Sequence, residues 1–442
     1  MRIELQEYGD WRSAEALAAQ TSYELAAFSR RLQGLNSLVC AQLGKNEALL
    51  KWVNGKVRAE GFAGVLSLDS RHQVEVVPKF LGGDAVHPGW RDDFVWLANM
   101  SRHGAFLDGA PVTSAAGQSE PLGNLFARAL LRECEAHAHR PIREYRTVVR
   151  HAFELDGDVD AEDLLMPTGD GFRQTVLHYS PHNELNATIA AALRSLLPAV
   201  TDPSLQGRLL RVLDRFGMQP VLGMVTRRKV PARHARWRMA VDLAKDVLSE
   251  TGSHYGDSEA RRLPGFVVDT ARVWQHLLEV ALRSQFGSAM HPEPRLELGQ
   301  RRKAGGVRKS LNVYPDYVIN PPVFSGTAVL DAKYKGRFDK AAGVVEADLF
   351  EAMAFMRAAK SRHALLLYPL VPAAAGAYRT GETMLVEVLE VGAGQVAALS
   401  VEVRGISGKG GWRTFCNNLA AGVRTHCAAL GLTPGAAAVA RE

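Results

Sequence analysis

Tyr314-Pro-Asp-Tyr-Val-Ile-Asn320 and Ala328-Val-Leu-Asp-Ala-Lys-Tyr-Lys335 decide how this chain is read. Asp316 opens one apolar run, and Asp331 and Lys333 close the next. Asn320-Pro-Pro-Val-Phe-Ser-Gly326 between them is turn chemistry, so the two runs read as a β-hairpin. Side chains alternate faces along a strand, which puts Asp331, Lys333 and Lys335 on one face and Ala332 and Tyr334 on the other. Asp316 lies on the partner strand, within reach of a cross-strand neighbour. Two carboxylates and an ammonium then meet at the end of an otherwise apolar sheet. Acids clustered in a half-buried place are costly unless a cation joins them. Mg²⁺ is the natural guest, a hard ion that takes a few carboxylates and keeps several waters, and Mn²⁺ is the alternative. A lysine beside such an ion positions or deprotonates an attacking water and steadies a phosphate. The plainer reading is a charged hairpin edge that only deters aggregation. Val329 and Leu330, leading into the charges as a buried strand would, favour the site.

At 442 residues the chain has room for two or three domains, and 47% hydrophobic content supports a sizeable core. The net charge of +6 is a mild basic bias, compatible with a nucleic-acid partner. Cys40, Cys134, Cys416 and Cys427 are scattered without a Cys-x-x-Cys pair, so neither a disulfide framework nor a zinc knuckle is indicated. Met1-Arg-Ile-Glu-Leu-Gln-Glu7 lacks the apolar core of a signal peptide, and no apolar run reaches the ~18–20 residues of a membrane-spanning helix. The expectation is a cytoplasmic protein without a membrane partner.

Taken in order, residues 1–120 read as a small β-rich domain. Leu49–Val53 and Lys56–Arg58 flank Asn54-Gly55, a strong hairpin signal. Ala63–Leu68 and Gln73–Pro78 flank a polar turn at Asp69–His72, and Trp90–Met100 reads as a helix. Residues 121–262 read as a helical, basic middle region. Helix is expected across 120–150, carrying Arg143, Arg146 and Arg150, and again over Asn183–Leu193. Cys134, His137 and His139 read as a polar helix end, since no further ligands complete a metal set. Arg227, Arg228, Lys229, Arg233 and Arg236, with Trp237 among them, suit a DNA backbone, or equally a solvated linker. Residues 263–442 carry the chemistry. Val268–Phe286 is an apolar-striped helix with Gln275 and Glu279 one turn apart, Glu346–Arg357 is a second helix bearing Glu351, and His363–Pro369 is a buried strand. The fold class expected is α/β (α+β overall), with a mixed C-terminal sheet flanked by helices.

Pro315-Asp316, a gap, then Asp331-x-Lys333 resembles the PD-(D/E)xK nuclease superfamily. The wider chain resembles the McrC family, nuclease subunits of methylcytosine-dependent McrBC restriction systems. The resemblance rests on Gln73–Lys79, on Asp156–Asp160 ahead of His182–Asn186, on Tyr314–Lys335 and on Asp348–Phe355. It implies a restriction-endonuclease-like core in 263–442, with Asp316 and Asp331 as metal ligands and Lys333 as the catalytic amine. It also implies that residues 1–120 dock on an AAA+ GTPase motor. The chain has no Gly-x-x-x-x-Gly-Lys-Ser/Thr loop, so any such motor is another chain. Two positions depart from the family pattern. Gln275 follows Trp274 where relatives have Glu, and Glu351 and Phe355 stand where relatives often have Gln and Tyr. Glu279 or Glu351 would then supply the missing charge. The leading expectation is Mg²⁺-dependent cleavage of DNA, with Lys335 touching the backbone. The competing readings are a non-cutting adaptor that binds DNA and activates a motor, favoured by Gln275, and a magnesium phosphohydrolase acting on nucleotides or RNA.

Overall fold

The computed structural model describes residues 2–433 apart from 22, 69–71, 104–121, 138, 139, 167, 201, 217–225, 227, 252–264, 303, 305, 307 and 335–342. The chain divides into two compact units, Met1–Leu125 with Phe266–Glu442, and Phe126–Gly265. The N-terminal β-rich region and the C-terminal region thus belong to one unit. Their joint is a sheet to which both contribute.

Strand β1 (Arg2–Gln6) pairs in parallel with β6 (Gln73–Val77), which pairs antiparallel with β5 (Phe62–Ser67). The fourth strand, β10 (Gly265–Asp269), comes from the C-terminal region. A small second sheet joins β2 (Arg12–Ser13), β3 (Leu50–Val53) and β4 (Lys56–Ala59). Asn54 and Gly55 sit at φ +49° and +72°, the left-handed pair that a two-residue β3–β4 turn requires. Helix α1 (Ala14–Ala18) precedes α2 (Leu25–Leu43), whose Phe28, Leu32 and Val39 bury against Ile3, Leu5, Val57, Phe62 and Val76. Every residue of β6 is buried. Its Glu75 is answered by Arg91 of α3 (Trp90–His103), at 2.7 Å. The polar turn expected at Asp69–His72 falls mostly outside the described residues.

Helix α4 (Leu122–His137) leads into the second unit. That unit holds β7 (Glu144–Ala152), β8 (Asp158–Val159), α5 (Ala161–Leu165), β9 (Phe172–Ser180), α6 (Glu184–Leu196), α7 (Pro203–Arg215) and α8 (Arg238–Thr251). The helix expected through 120–150 therefore ends at His137, and Glu144–Ala152 is a strand. Thr147, Val148 and Val149 are β-branched and fit a pleated surface better than a helical turn. A full-length antiparallel register with β9 then decides the matter. Asn183 caps α6 by accepting from the Asn186 amide at 3.0 Å.

After β10, Asp269 caps α9 (Thr270–Phe286) through the amides of Ala271 and Arg272. There follow β11 (Met290–Pro292), the hairpin β12 (Leu296–Arg302) and β13 (Arg308–Val313), then β14 (Tyr317–Ile319), β15 (Ala328–Ala332), α10 (Glu346–Ala359), β16 (His363–Pro369), β17 (Thr383–Val391), β18 (Gly394–Val401) and α11 (Gly411–Ala429). One six-stranded sheet runs β11-β14-β15-β16-β18-β17. It is mixed: β15, β16 and β18 are parallel, while β14 and β17 lie antiparallel to their neighbours. Val329, Ala364, Leu366, Tyr368, Val396 and Ala398 pack against Ala352, Phe355 and Met356 of α10. By alternation, Leu330, Leu365 and Leu367 turn to the other face, where Trp274 of α9 donates to the Leu367 carbonyl at 3.2 Å. The fold is a mixed α/β one, and among the described residues no helix is long and apolar enough to cross a membrane.

The joint between the N-terminal sheet and the C-terminal sheet is polar. Glu7, 1% exposed, accepts from the Thr270 hydroxyl at 2.5 Å, from the Tyr334 hydroxyl and from the Lys79 amide at 3.2 Å. The Lys79 ammonium donates to the Tyr334 carbonyl and lies 4.2 Å from the centre of its ring. Burial raises the Glu7 carboxyl to about 7 against the pull of Lys79. Burial lowers Lys79 to about 8 against the pull of Glu7. Folded Glu7 keeps its proton above the range where the unfolded chain loses it, so this group costs stability as pH rises through about 7. Folded Lys79 loses its proton at about 8, below the unfolded chain, so stability returns above that. The pair is therefore least favourable between about pH 7 and 8, where both charges are buried. Thermal melts of the protein from pH 5 to 9 should dip there, and the double variant Glu7→Gln with Lys79→Met should flatten the dip. Identical pH profiles for the two proteins would remove this account.

Candidate active site

The acids are placed by the ends of buried strands. Tyr317, Val318 and Ile319 of β14 are all buried and lie opposite Leu330, Val329 and Ala328 of β15. Asp316 stands just before β14 and Asp331 near the carboxyl end of β15, so the antiparallel register brings them side by side. The parallel β15–β16 edge continues one step further through the Lys333 amide, which donates to the Leu367 carbonyl at 2.9 Å. Carboxyl ends of parallel strands are where α/β sheets usually place ligands.

The geometry is tight. Asp316 accepts from the Ala332 amide at 2.7 Å and from the Gln275 side-chain amide at 2.6 Å. Its own amide lies 3.4 Å from the Asp331 carboxylate. Asp331 is 5% exposed, and the Lys333 ammonium sits 2.5 Å from it. The same ammonium reaches Glu351 of α10 at 2.6 Å and stands 3.9 Å from Asp348. Burial first, then the charge of Asp331, raises the Asp316 carboxyl to about 7. Burial also raises Asp331, opposed by Lys333. Burial disfavours the Lys333 ammonium, but Asp331 and Glu351 outweigh it and raise its pKa. At neutral pH Lys333 therefore holds its proton firmly, so it works as a fixed positive charge and hydrogen-bond donor rather than as a base.

Gln275 comes to this cluster because its neighbour Trp274 is buried and bonded to the strand end, while Tyr317 donates its hydroxyl to the Gln275 carbonyl. Glu279, one turn on, pairs with Arg283 at 3.1 Å and His276 at 3.7 Å. Glu351 faces Lys333, 2.6 Å from its ammonium. Lys335 and Arg227 lie outside the described residues. Arg228, Lys229, Arg233 and Arg236 belong to the second unit and are exposed, with Arg228 ion-paired to Glu144 at 3.1 Å. In the Cys134, His137, His139 stretch, Cys134 is buried, His137 packs on the Trp237 ring, and His139 lies outside the described residues.

Two acids escaped the sequence reading. Glu293 accepts from Gln275 at 3.3 Å, and its amide donates to the Asp316 carbonyl at 2.8 Å. Asp348 accepts from the Tyr368 hydroxyl at 2.9 Å and stands near Lys333. Glu293 sits in a short loop between Pro292 and Pro294 and carries no periodic signal. Asp348 was visible only as a first-turn acid of α10.

Among the described residues no group of three or more His, Cys, Asp or Glu forms a complete metal-ligand set. The donor chemistry nevertheless fits a hard divalent ion. Burial and the neighbouring Asp331 raise the Asp316 carboxyl to about 7 against the weaker pull of Lys333, which bonds to Asp331 and Glu351 instead, so a cation at the pair would favour the charged form of Asp316. Mg²⁺ needs only one or two carboxylates and keeps its waters. Asp316 and Asp331 are the residues that would hold it.

A mixed α/β sheet flanked by helices, with an acid pair and a lysine at its strand ends, defines an α/β protein with a polar centre at the carboxyl ends of its parallel strands. The chain belongs to the family described as McrBC 5-methylcytosine restriction system component, which matches residues 57–369, well over half its length. Among solved structures, it is similar to a chain of the refined half-complex from a tetradecameric assembly of Thermococcus gammatolerans McrB AAA+ hexamers with bound McrC. The TM-score is 0.66 at 16% identity, covering 95% of this chain and 100% of that one. A chain of the T. gammatolerans McrBC complex matches with a TM-score of 0.49 at 18% identity, covering 64% and 87%. No curated protein matches significantly.

Gln275 lets Asp316 be satisfied by a donor without a cation. Gln275→Glu replaces that donor with a further carboxylate, so the variant should melt lower than the parent without divalent ions. Added Mg²⁺ should then raise its melting temperature more than the parent's, by about 1–2 degrees for each ~1 kcal/mol of extra binding. Equal Mg²⁺-induced shifts in both proteins would speak against a cation at the pair.

Proposed function

We propose that this chain is the DNA-cutting subunit of a modification-dependent restriction complex, a PD-(D/E)xK-type nuclease acting in the bacterial cytoplasm with Mg²⁺ or Mn²⁺. The observation that carries the proposal is the buried Asp331 held 2.5 Å from Lys333, next to an Asp316 that has no ion pair of its own among the described residues and whose carboxyl is raised to about 7 by burial and by Asp331. Bound at this pair, the divalent ion supplies a Lewis acid for the phosphoryl oxygen and charge stabilisation for the leaving oxygen. The chain's residues do the rest. Asp316 and Asp331 hold the ion. Lys333, kept protonated by Asp331 and Glu351, draws the scissile phosphate and orients water through its remaining hydrogen. Glu351 fixes the direction of that ammonium.

The proposal includes a partner chain, an AAA+ GTPase motor docked through the N-terminal region. Family membership and the likeness to a chain from T. gammatolerans McrB AAA+ hexamers with bound McrC support it. Gln275 supports a second reading, a DNA-binding adaptor that activates the motor without cutting, because its bond to Asp316 stabilises the acid where no ion is bound.

Plasmid cleavage by the full chain with its motor, GTP and Mg²⁺ separates the two. The parent should cut. Asp331→Asn should cut at least about 100-fold more slowly while melting no lower than the parent. Glu351→Ala should slow cutting less than Asp331→Asn does. An Asp331→Asn protein that cuts at the parental rate would refute the assignment. A parent that stimulates GTP hydrolysis yet leaves the plasmid uncut with Mg²⁺ and with Mn²⁺ would establish the adaptor. Parallel assays on RNA and free nucleotides test the substrate class.

A further inference from the structure

We propose that the ribbon β12–β13 is the element that grips duplex DNA beside the Asp316–Asp331 pair, chiefly through the phosphate backbone. This rests on the nuclease reading above and adds the surface that would hold the substrate. Lys333 is committed to Asp331 and Glu351, so the site itself offers little spare positive charge for a long polyanion. The ribbon supplies it. Arg301 lies opposite Lys309 and Arg302 opposite Arg308, and all four are exposed. Like charges directly across a ladder destabilise a ribbon. No acid is ion-paired to any of the four among the described residues, so the ribbon carries this repulsion in the free protein. An anionic partner would relieve it.

The ribbon is anchored at its base. Leu296 and Val313, at its base, pack against the core formed by α10 and the large sheet. Its far end carries the basic pairs. Alternation puts Arg302 and Arg308 on one face, followed by Gln300 opposite Ser310, so that face is polar along its length. The strand β13 then runs through Tyr314 and Pro315 directly into Asp316. Arg308 precedes Asp316 by eight residues, at most about 26 Å of extended chain at ~3.3 Å per residue. That reach exceeds half a turn of duplex, a full turn being ~34 Å. A two-stranded ribbon also fits the major groove, ~12 Å wide. The backbone held by the ribbon and the bond presented to the acids would thus lie on one stretch of duplex.

The test is binding of a fluorescent duplex to the full-length chain over a range of salt concentrations. Each lost phosphate contact lowers the slope of log K against log salt by ~0.9. The variant Arg302→Ala with Arg308→Ala should lose about two units of slope and at least about tenfold in affinity at low salt. It should melt no lower than the parent, since a repulsion is removed. Arg302→Lys with Arg308→Lys keeps the charges and should retain the parental slope. Lys229→Ala with Arg233→Ala, in the second unit, probes the other basic stretch and should lose less slope than the ribbon variant. A ribbon variant with parental slope and affinity overturns the inference, as does a loss confined to the Lys229, Arg233 variant. The binding measurement does not require cutting, so a parent that binds through the ribbon without cleaving would count against the nuclease reading alone.

Discussion

A carboxylate buried at the end of a strand must be answered by positive charge, and Asp331 is that carboxylate. It is 5% exposed, and the Lys333 ammonium two residues on lies 2.5 Å away. Much of the surrounding architecture follows from that pairing. Burial of Asp331 needs a strand covered by a helix, which β15 and α10 provide through Val329, Ala352 and Phe355. Holding the ammonium in place needs a second acid, which α10 provides as Glu351. Asp316 enters because the β14–β15 register leaves it no other place, and its charge has no comparable answer. Asp316 is thus held by hydrogen bonds from Gln275 and Ala332 without an ion pair of its own among the described residues, which is the physical basis of the proposal that a divalent ion and a phosphate bind there.

The segment from Asp331 to Tyr334 also ties the C-terminal region to the N-terminal one. Asp331 and Lys333 turn toward α10, while Tyr334 turns the other way and meets Glu7 and Lys79. Glu7 in turn receives the first side chain of α9, Thr270. A short segment therefore serves the acid centre on one side and the joint with the N-terminal sheet on the other. This buried joint is polar and ionic, costly in isolation, and kept by mutual satisfaction of its groups.

Gln275 shows how one atom changes the balance. A Glu at this position would stand against Asp316 as a like charge unless a cation lay between them. The amide instead donates to Asp316 at 2.6 Å, and Glu293 accepts from the same nitrogen at 3.3 Å. The cluster can therefore persist without an ion, and an ion that binds must displace or share that donor.

Local signals in the sequence already determined the hairpin of Asp316 and Asp331, the Asn54-Gly55 turn, helices α9 and α10, the buried strand β16 and the turning of Tyr334 away from the charged face. Each of these depends on period-two or helical patterning, or on turn residues acting within a few positions. Where local propensity was ambiguous, partners ruled: Glu144–Ala152 became a strand only through its register with β9. Glu293 and Asp348 were invisible because a loop acid and a first-turn acid carry no pattern of their own. The basic ribbon passed unnoticed because its charges are interrupted by polar residues and gain meaning only when Arg302 is seen opposite Arg308. What tertiary structure alone decided is convergence: that α9, a proline-flanked loop, a hairpin and α10 all deliver polar groups to one strand end. Sequence patterns report which face of an element seeks burial, whereas the neighbours met there are chosen by the order in which the strands pair.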